Sequence, residues 1–385
     1  MKKVLATILA LVMALGLTTA AWADDAGVTC NGENCTHAAE FNGKHYNHLV
    51  DAYAALTRGT TKPATAEVIT LLKDSSGGGI GSDADTNMNY VIDFGGHTYT
   101  VGAPAVGSTG TVSQGLRVLQ TSTAKFMNGT LKADNYNGLA QVVHTYGDVT
   151  FENFNVDARE NSYAQIAVEP DCGTLNINGN SSILAREGMT GLYVAFWHTG
   201  TYNGTTVNVN TTGKITGKLV YEFDEDMTGD AAATENRAVL NIANGNFEIT
   251  GIQTLFSGVA NEALKEAKIE VSGGTFSTDV KEYLAEGKIL QKNGDTYTAV
   301  TNGAITSGTY TSEPTVPSGY KATKNDDGTW TVSKVSYYYY QPTTDTKAND
   351  TKGSPKTFDA GIALYVGMAL TSAAGVAFVG KKRED

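Results

Sequence analysis

Short runs of alternating apolar and polar residues recur along the middle of the chain, and each run ends near Gly, Asn or Asp. Examples are residues 90–94, 149–156, 206–210 and 238–242. Alternation over four to eight residues is typical of a strand with one buried face. Successive major runs begin roughly 23 to 33 residues apart. A repeat of that length is typical of a solenoid.

The segments between these runs indicate which solenoid to expect. Asn-Gly and Gly-Gly corners separate the runs, and neither helical segments nor leucine-rich spacing lies between them. The pattern predicts an all-β fold, a right-handed parallel β-helix, whose coils stack and bury their inward side chains. Asn side chains would suit the corners, because their amides can form ladders between coils. A β-sandwich, also built from short alternating strands, is the alternative.

Different patterns flank the predicted β-helix, which spans residues 76–300. Apolar residues at helical spacing lie between two strand-like segments within 24–75, which predicts an N-terminal β-α-β cap. Two similar segments, 287–298 and 319–331, each predict a hairpin: a strand, an Asn/Asp/Gly turn and a Thr-aromatic-Thr strand. The C-terminal hairpin repeat is accordingly assigned to 301–335.

The first 23 residues have the features of a secretory signal peptide. A short basic start precedes an uncharged apolar run over 4–21, and Ala21-Trp22-Ala23 places small residues where signal peptidase requires them. The predicted cleavage follows Ala23, which makes signal peptidase a partner. The mature chain would then begin outside the cytoplasm.

The C-terminus predicts a membrane anchor. Residues 336–359 are polar and lack apolar periodicity, as expected of a flexible spacer. Residues 360–380 carry no charge and are long enough to cross a hydrocarbon core of about 30 Å. The basic residues that open the 381–385 tail favour the cytoplasmic side, so the body of the protein is expected to be extracellular.

A five-residue segment lies just before this span: Ser354, Pro355, Lys356, Thr357 and Phe358. It resembles the sorting signal of Gram-positive cell-wall proteins, Leu-Pro-x-Thr-Gly, which sortase cuts after Thr. Pro355 and Thr357 match, whereas Ser354 and Phe358 depart from the motif, and the bulky Phe358 would obstruct access to the Thr357 carbonyl. Two alternatives follow: covalent wall attachment with sortase as a partner, or retention by the membrane span alone.

Charge and cysteine content narrow the classes of function. The net charge is -12 and the pI is about 5.0, which argues against a nucleic-acid partner because phosphate binding needs a basic face.

In an oxidising exterior, Cys30 and Cys35 are candidates for a small-loop disulfide, which would leave Cys172 unpaired. A metal site near His37 is the alternative, but Cys-x4-Cys-x-His matches no established zinc spacing. Neither a metal nor a cofactor is expected.

Two groups of residues are candidates for a functional face. Asp157 and Arg159, followed by Glu169 and Asp171, come nearest to the carboxylates and base of a polysaccharide lyase, but a solvated corner is the favoured interpretation. Glycoside hydrolysis also needs two converging carboxylates. Trp197 and His198 are a candidate sugar-stacking surface or a core plug, and His144 fits a structural role in a strand. No catalytic residue is assigned.

The chain resembles the β-helical surface proteins of gut Firmicutes and Actinobacteria that carry cell-wall anchor segments. The likeness lies in residues 41–74, 271–287 and 324–331, together with the anchor. It implies a β-helix at the cell surface and carries no known catalytic residues. We therefore expect an exported, envelope-anchored, non-catalytic protein, adhesin-like or structural, that binds a glycan or a ligand on host or neighbouring cells. A surface polysaccharide lyase or glycoside hydrolase is the alternative.

Overall fold

The computed structural model describes residues 27–30, 36–108, 110–197, 204–224, 237–259 and 261–336. Several predicted features lie outside these residues: the cleavage site at Ala23, Cys35, His198, the sorting-like motif at 354–358 and the span at 360–380. Within the described ranges, no helix is long and apolar enough to cross a membrane.

Strands dominate the described residues. One short α-helix, α1 (Leu49–Ala54), and two 3₁₀ turns, Glu262–Leu264 and Lys281–Tyr283, accompany them. The strands are β1 (Ala39–Phe41), β2 (Lys44–Tyr46), β3 (Glu67–Leu71), β4 (Ser75–Gly77), β5 (Asn89–Asp93), β6 (Thr98–Val101), β7 (Gln114–Val118), β8 (Thr123–Ala133), β9 (Gln141–Thr145), β10 (Asp148–Asp157), β11 (Ile166–Pro170), β12 (Gly173–Gly179), β13 (Ser182–Leu184), β14 (Thr190–Val194), β15 (Thr205–Asp224), β16 (Ala238–Ser257), β17 (Ile269–Val271), β18 (Thr275–Phe276), β19 (Lys288–Asn293), β20 (Thr296–Thr301), β21 (Gly308–Tyr310), β22 (Tyr320–Lys324) and β23 (Trp330–Lys334).

Three stacks of parallel strands form the body of the protein. The first stack contains β3, β5, the first parts of β8 and β10, β12, the first parts of β15 and β16, and β17. The second contains β4, β6, the second parts of β8 and β10, β13, the middle of β15 and β16, and β18. The third contains β7, β9, β11, β14 and the ends of β15 and β16. This arrangement confirms the predicted parallel β-helix and excludes the β-sandwich.

Inward side chains from successive coils lie directly above one another. The register pairs Phe126 of β8 with Phe151 of β10, and their ring centroids are 6.1 Å apart. Phe154 follows on β10 and lies 5.2 Å from Phe151 and 4.8 Å from Phe94. All four rings are buried. Such aromatic pairs add about 0.5–1.5 kcal/mol each beyond the burial of their area.

Asparagine forms the corner between the first and second stacks in two successive coils. Asn128 and Asn153 have φ values of +56° and +52°, a left-handed conformation that Asn tolerates better than most residues. In the coil of Asn128 the next residue is Gly129, where a Cβ atom would lie 2.3 Å from Phe94 Cβ. The corner therefore needs a small residue beside the aromatic core.

Different elements cover the two ends of the coil. At the start, β1 pairs antiparallel with β2 and β3, and β3 continues into the first stack. Tyr53 of α1 donates a hydrogen bond of 2.8 Å to Asp85, which also accepts one of 2.7 Å from Arg58. At the other end, β20 pairs antiparallel with β18, and the hairpins β19–β20 and β22–β23 follow, linked by β21.

The aromatic core generates a test of the fold. We expect Phe154→Ala to lower the free energy of unfolding by about 3–5 kcal/mol, because it removes a buried ring from a close-packed stack. Tyr163→Ala is the matched control, since Tyr163 is 52% exposed, and its change should stay within about 0.5 kcal/mol. Urea unfolding followed by circular dichroism measures both. Equal losses in the two variants would contradict the assigned core.

Candidate functional site

Polar side chains gather on the outward face of the third stack. The core residues Leu116 of β7, Val143 of β9 and Val168 of β11 are paired with one another in register. Because side chains alternate along a strand, the residue after each of them belongs to the outward face. Those following residues are Arg117, His144 and Glu169, which the register also aligns. With Asp171, two positions further along the chain, they form what we call the polar row: Arg117, His144, Glu169 and Asp171.

His144 is the centre of the polar row. Its Nε2 lies 2.7 Å from Asp171 Oδ2, and its Nδ1 lies 2.7 Å from the side-chain nitrogen of Gln114. The side chains of His144 and Asp171 are only 6% and 9% exposed. Donor atoms of His144, Glu169 and Asp171 all lie within 4.8 Å of one another. An imidazole and two carboxylates thus converge, with His144 and Asp171 buried and Glu169 half-buried.

Burial changes the acid–base properties of this cluster. Burial and the neighbouring charge of Asp171 raise the pKa of Glu169 from its usual 4.5 to about 7. Burial by itself lowers the pKa of His144, but its hydrogen bond to Asp171 and the charges of Asp171 and Glu169 outweigh this and raise it. Glu169 Oε2 is buried and accepts no hydrogen bond. The cluster therefore retains protons that an exposed one would release at neutral pH.

Among the described contacts, Arg117 forms no salt bridge with Glu169 or Asp171. Its guanidinium forms a 2.6 Å ion pair with Asp83 and donates a 2.6 Å hydrogen bond to Ser108. Further along the third stack, the Tyr193 hydroxyl and the Ser257 hydroxyl both donate to the Glu222 carboxylate. Glu222 is therefore satisfied by two hydroxyl groups, unlike Glu169.

The predicted group of Asp157, Arg159, Glu169 and Asp171 divides between two places. Arg159 donates hydrogen bonds of 2.9 and 2.7 Å to Asp157 at the end of β10, and the Arg159 side chain is 58% exposed. Burial raises the pKa of Asp157, but the bonds from Arg159 outweigh this and lower it. Among the described contacts, none joins Asp157 or Arg159 to Glu169 or Asp171. Asp157 and Arg159 thus form an ion pair at a corner, with Arg159 exposed and Asp157 half-buried.

The other predicted residues have simpler surroundings. Trp197 is 49% exposed, and its backbone N–H donates a 2.7 Å hydrogen bond to the Asp171 carbonyl. Cys30 is disulfide-bonded, so its sulfur is no thiolate ligand, although His37 Nδ1 lies 3.2 Å away. Cys172 is buried, and its thiol donates a 3.1 Å hydrogen bond to the Tyr146 carbonyl. The pairing of Cys30 with Cys35 stays a prediction.

A second feature lies on the outward side of the first stack. Asn208 donates a 2.9 Å hydrogen bond to Asn176 Oδ1, and Asn241 donates an equal one to Asn208 Oδ1. Asn178 and Asn210 flank this ladder and are aligned in register. We call these five residues the amide face. The pattern Thr-x-Asn-x-Asn recurs at 174–178 and 206–210, and this signal in the sequence could have identified the face.

A shallow depression adjoins the amide face at the corner towards the second stack. Exposed or half-buried polar side chains and one glycine line it: Thr212, Asn244, Gly245, Asn246 and Thr275. None of these residues is charged. The uncharged polar surface therefore continues from the ladder onto the corner.

The raised pKa of Glu169 predicts a pH dependence of stability. A group whose pKa is higher in the folded than in the unfolded chain stabilises the fold below its unfolded pKa, and that stability is lost as the pH rises through the folded value. Between pH 4.5 and 8, wild-type protein in EDTA should therefore lose on the order of 2 kcal/mol more than Glu169→Gln. Urea unfolding at a series of pH values measures the difference.

Asp157→Asn is the control for that experiment. The lowered pKa of Asp157 keeps this carboxylate ionised over the whole range, so its curve should run parallel to that of the wild type. A Glu169→Gln curve parallel to the wild type would contradict the assignment.

No protein-family model, no curated protein and no solved structure matches this chain. The function is therefore argued from the residues themselves. Two places on the β-helix are candidate functional sites: the uncharged amide face on the first stack and the polar row on the third.

Proposed function

We propose that the protein is a non-catalytic binding protein of the cell surface, whose amide face binds an extended glycan. The observation that carries the proposal is the hydrogen-bonded ladder of Asn176, Asn208 and Asn241. Export and anchoring rest on the sequence features of the two chain ends.

The chemistry of the amide face suits sugar hydroxyl groups. Each Asn side chain has two N–H donors and an oxygen that accepts two hydrogen bonds, and the ladder uses only some of them. The bonds between Asn176, Asn208 and Asn241 hold the amides in fixed orientations, so a ligand would lose less conformational entropy on binding. The uncharged surface favours neutral hydroxyl groups over phosphate or basic peptides.

The geometry of the face suits a long chain. Parallel strands repeat about every 4.8 Å, so the same donor and acceptor pattern recurs from coil to coil. Asn178 and Asn210 widen the pattern beside the ladder, and the open depression at Asn244 extends it. A repeating polymer lying across the coils could therefore make the same contacts several times.

Half-exposed Trp197 offers a separate apolar contact near the third stack. Aromatic side chains with one apolar face and a polar edge are frequent at binding surfaces. It belongs to a different face from the ladder, so we do not assign it to the same glycan site.

A second candidate function, a glycan-active enzyme, is favoured by one observation. Glu169 and Asp171 converge beside His144, and paired carboxylates are the chemistry of glycoside hydrolysis. Asp171 is buried and Glu169 is half-buried, so a sugar would have restricted access to the pair, which supports binding as the first proposal.

Glycan binding is tested with the full chain on a glycan array, followed by titration of the best ligand. We expect the triple variant Asn176→Ala, Asn208→Ala, Asn241→Ala to lose at least about tenfold in affinity. Asn155→Ala is the control, because Asn155 lies on the second stack and makes one weak 3.5 Å hydrogen bond. Circular dichroism checks that both variants fold. Equal affinity of the triple variant and the wild type would sink the proposal.

The enzyme candidate is tested with a panel of polysaccharides, by assaying new reducing ends and unsaturated products. The proposed function predicts no turnover. Turnover by the wild type that Glu169→Gln abolishes and Asp157→Asn retains would replace binding with catalysis.

A further inference from the structure

Glu169 has no ion-pair partner among the described residues, whereas Asp171 is paired with His144. Glu169 Oε2 is buried and accepts no hydrogen bond, and the guanidinium of Arg117 is committed to Asp83 and Ser108. Moving a carboxylate out of water costs several kcal/mol unless a partner compensates for it. The single imidazole of His144 cannot neutralise both carboxylates, so the cluster calls for a bound cation or a retained proton.

We propose that His144, Glu169 and Asp171 bind a divalent transition-metal ion, with Zn²⁺ as the preferred ion. The three side chains each present one donor atom, all within 4.8 Å of one another. One imidazole nitrogen and two carboxylate oxygens suit Zn²⁺ or Mn²⁺, whereas Ca²⁺ and Mg²⁺ favour all-oxygen sites.

Gln114 is an independent observation that points to the same site. Its side chain is only 4% exposed, and its Oε1 is buried without a hydrogen-bond partner while its Nε2 lies 2.7 Å from His144 Nδ1. The oxygen and nitrogen of an amide have nearly the same shape, so the group fits the same space when turned by 180°. In that orientation Gln114 Oε1 accepts the Nδ1–H of His144.

This hydrogen bond would prepare His144 as a ligand. A histidine that binds a metal through Nε2 usually donates its other N–H to an oxygen, which fixes the tautomer and the ring orientation. The proton that Nε2 now shares with Asp171 would be displaced by the cation, and Glu169 would bind as the carboxylate. Protons are released when the metal binds.

The fold holds the three ligands in place. His144 of β9 and Glu169 of β11 are aligned in register on neighbouring strands, which lie about 4.8 Å apart. Asp171 directly follows β11, where its backbone N–H donates to the Thr145 carbonyl at 2.8 Å. Three protein ligands leave at least one coordination position for water or another ligand.

The test uses the full chain, dialysed against EDTA and then freed of EDTA. Isothermal titration with ZnCl₂, MnCl₂, CaCl₂ and MgCl₂ measures affinity and stoichiometry at pH 7.5. We expect one Zn²⁺ per chain with a dissociation constant of about 1 μM or tighter, and a rise of several degrees in the unfolding temperature with excess Zn²⁺.

Two near-isosteric variants, Glu169→Gln and Asp171→Asn, should each weaken Zn²⁺ binding by at least about a hundredfold, because each removes one charged ligand. Having both keeps the test decisive if one variant does not fold. Gln114→Leu, which removes only the positioning hydrogen bond, should weaken binding by about 10–100-fold. Asp157→Asn is the matched control, because Asp157 pairs with Arg159 and makes no described contact with the ligand set, and it should bind Zn²⁺ as the wild type does.

Three results would overturn the proposal. The first is stoichiometric binding of none of the four ions. The second is Zn²⁺ binding by folded Glu169→Gln and Asp171→Asn at wild-type affinity. The third is Zn²⁺ binding that is lost only in His37→Ala, which would place the ion near Cys30 and His45 instead. The glycan-array result does not enter this test, so the two proposals stand or fall separately.

Discussion

Register between successive coils is the constraint on which the rest of the structure depends. Phe126 lies against Phe151 because β8 and β10 pair without a shift at these residues, and a shift by one residue would turn every inward side chain outwards. In a coil whose wall is one sheet thick, parallel strands with one apolar face can bury that face only by turning it towards the interior of the coil. The hydrophobic interior thus sets where every outward residue lies.

That same register places like residues above one another on the outside. On the first stack it aligns Asn176, Asn208 and Asn241, whose amides satisfy one another and remain uncharged. On the third stack it aligns His144 with Glu169, where burial acts on groups that carry charge. The register between coils therefore produces a neutral surface of fixed amides on the first stack. On the third stack it produces a cluster of charged side chains that are partly removed from water.

Glu169 and Glu222 lie on the same stack but differ in the hydrogen bonds that their carboxylates accept. Two hydroxyl groups donate to Glu222, whereas Glu169 retains a buried oxygen without a donor. Buried acceptors normally have partners, so an exception calls for an explanation such as a bound water or ion. Asp157 and Arg159 are the opposite case, because the exposed Arg159 compensates the charge of the half-buried Asp157 directly.

The sequence by itself determined the parallel β-helix, because alternation of apolar residues and recurrent Gly or Asn corners are local features. The sequence predicted Asn ladders at the corners, whereas the structure places the bonded amides of Asn176, Asn208 and Asn241 within the strands of the first stack. The sequence placed Asp157 and Arg159 with Glu169 and Asp171 because they are neighbours along the chain, and it treated His144 as a structural residue. The tertiary structure divides the predicted group of four, because a corner separates β10 from β11 and sends the two pairs to different stacks. The contact between His144 and Glu169 depends on the length of the loops between coils and on the burial of both side chains. Loop length and burial are properties of the whole coil, and no single segment of the sequence determines them.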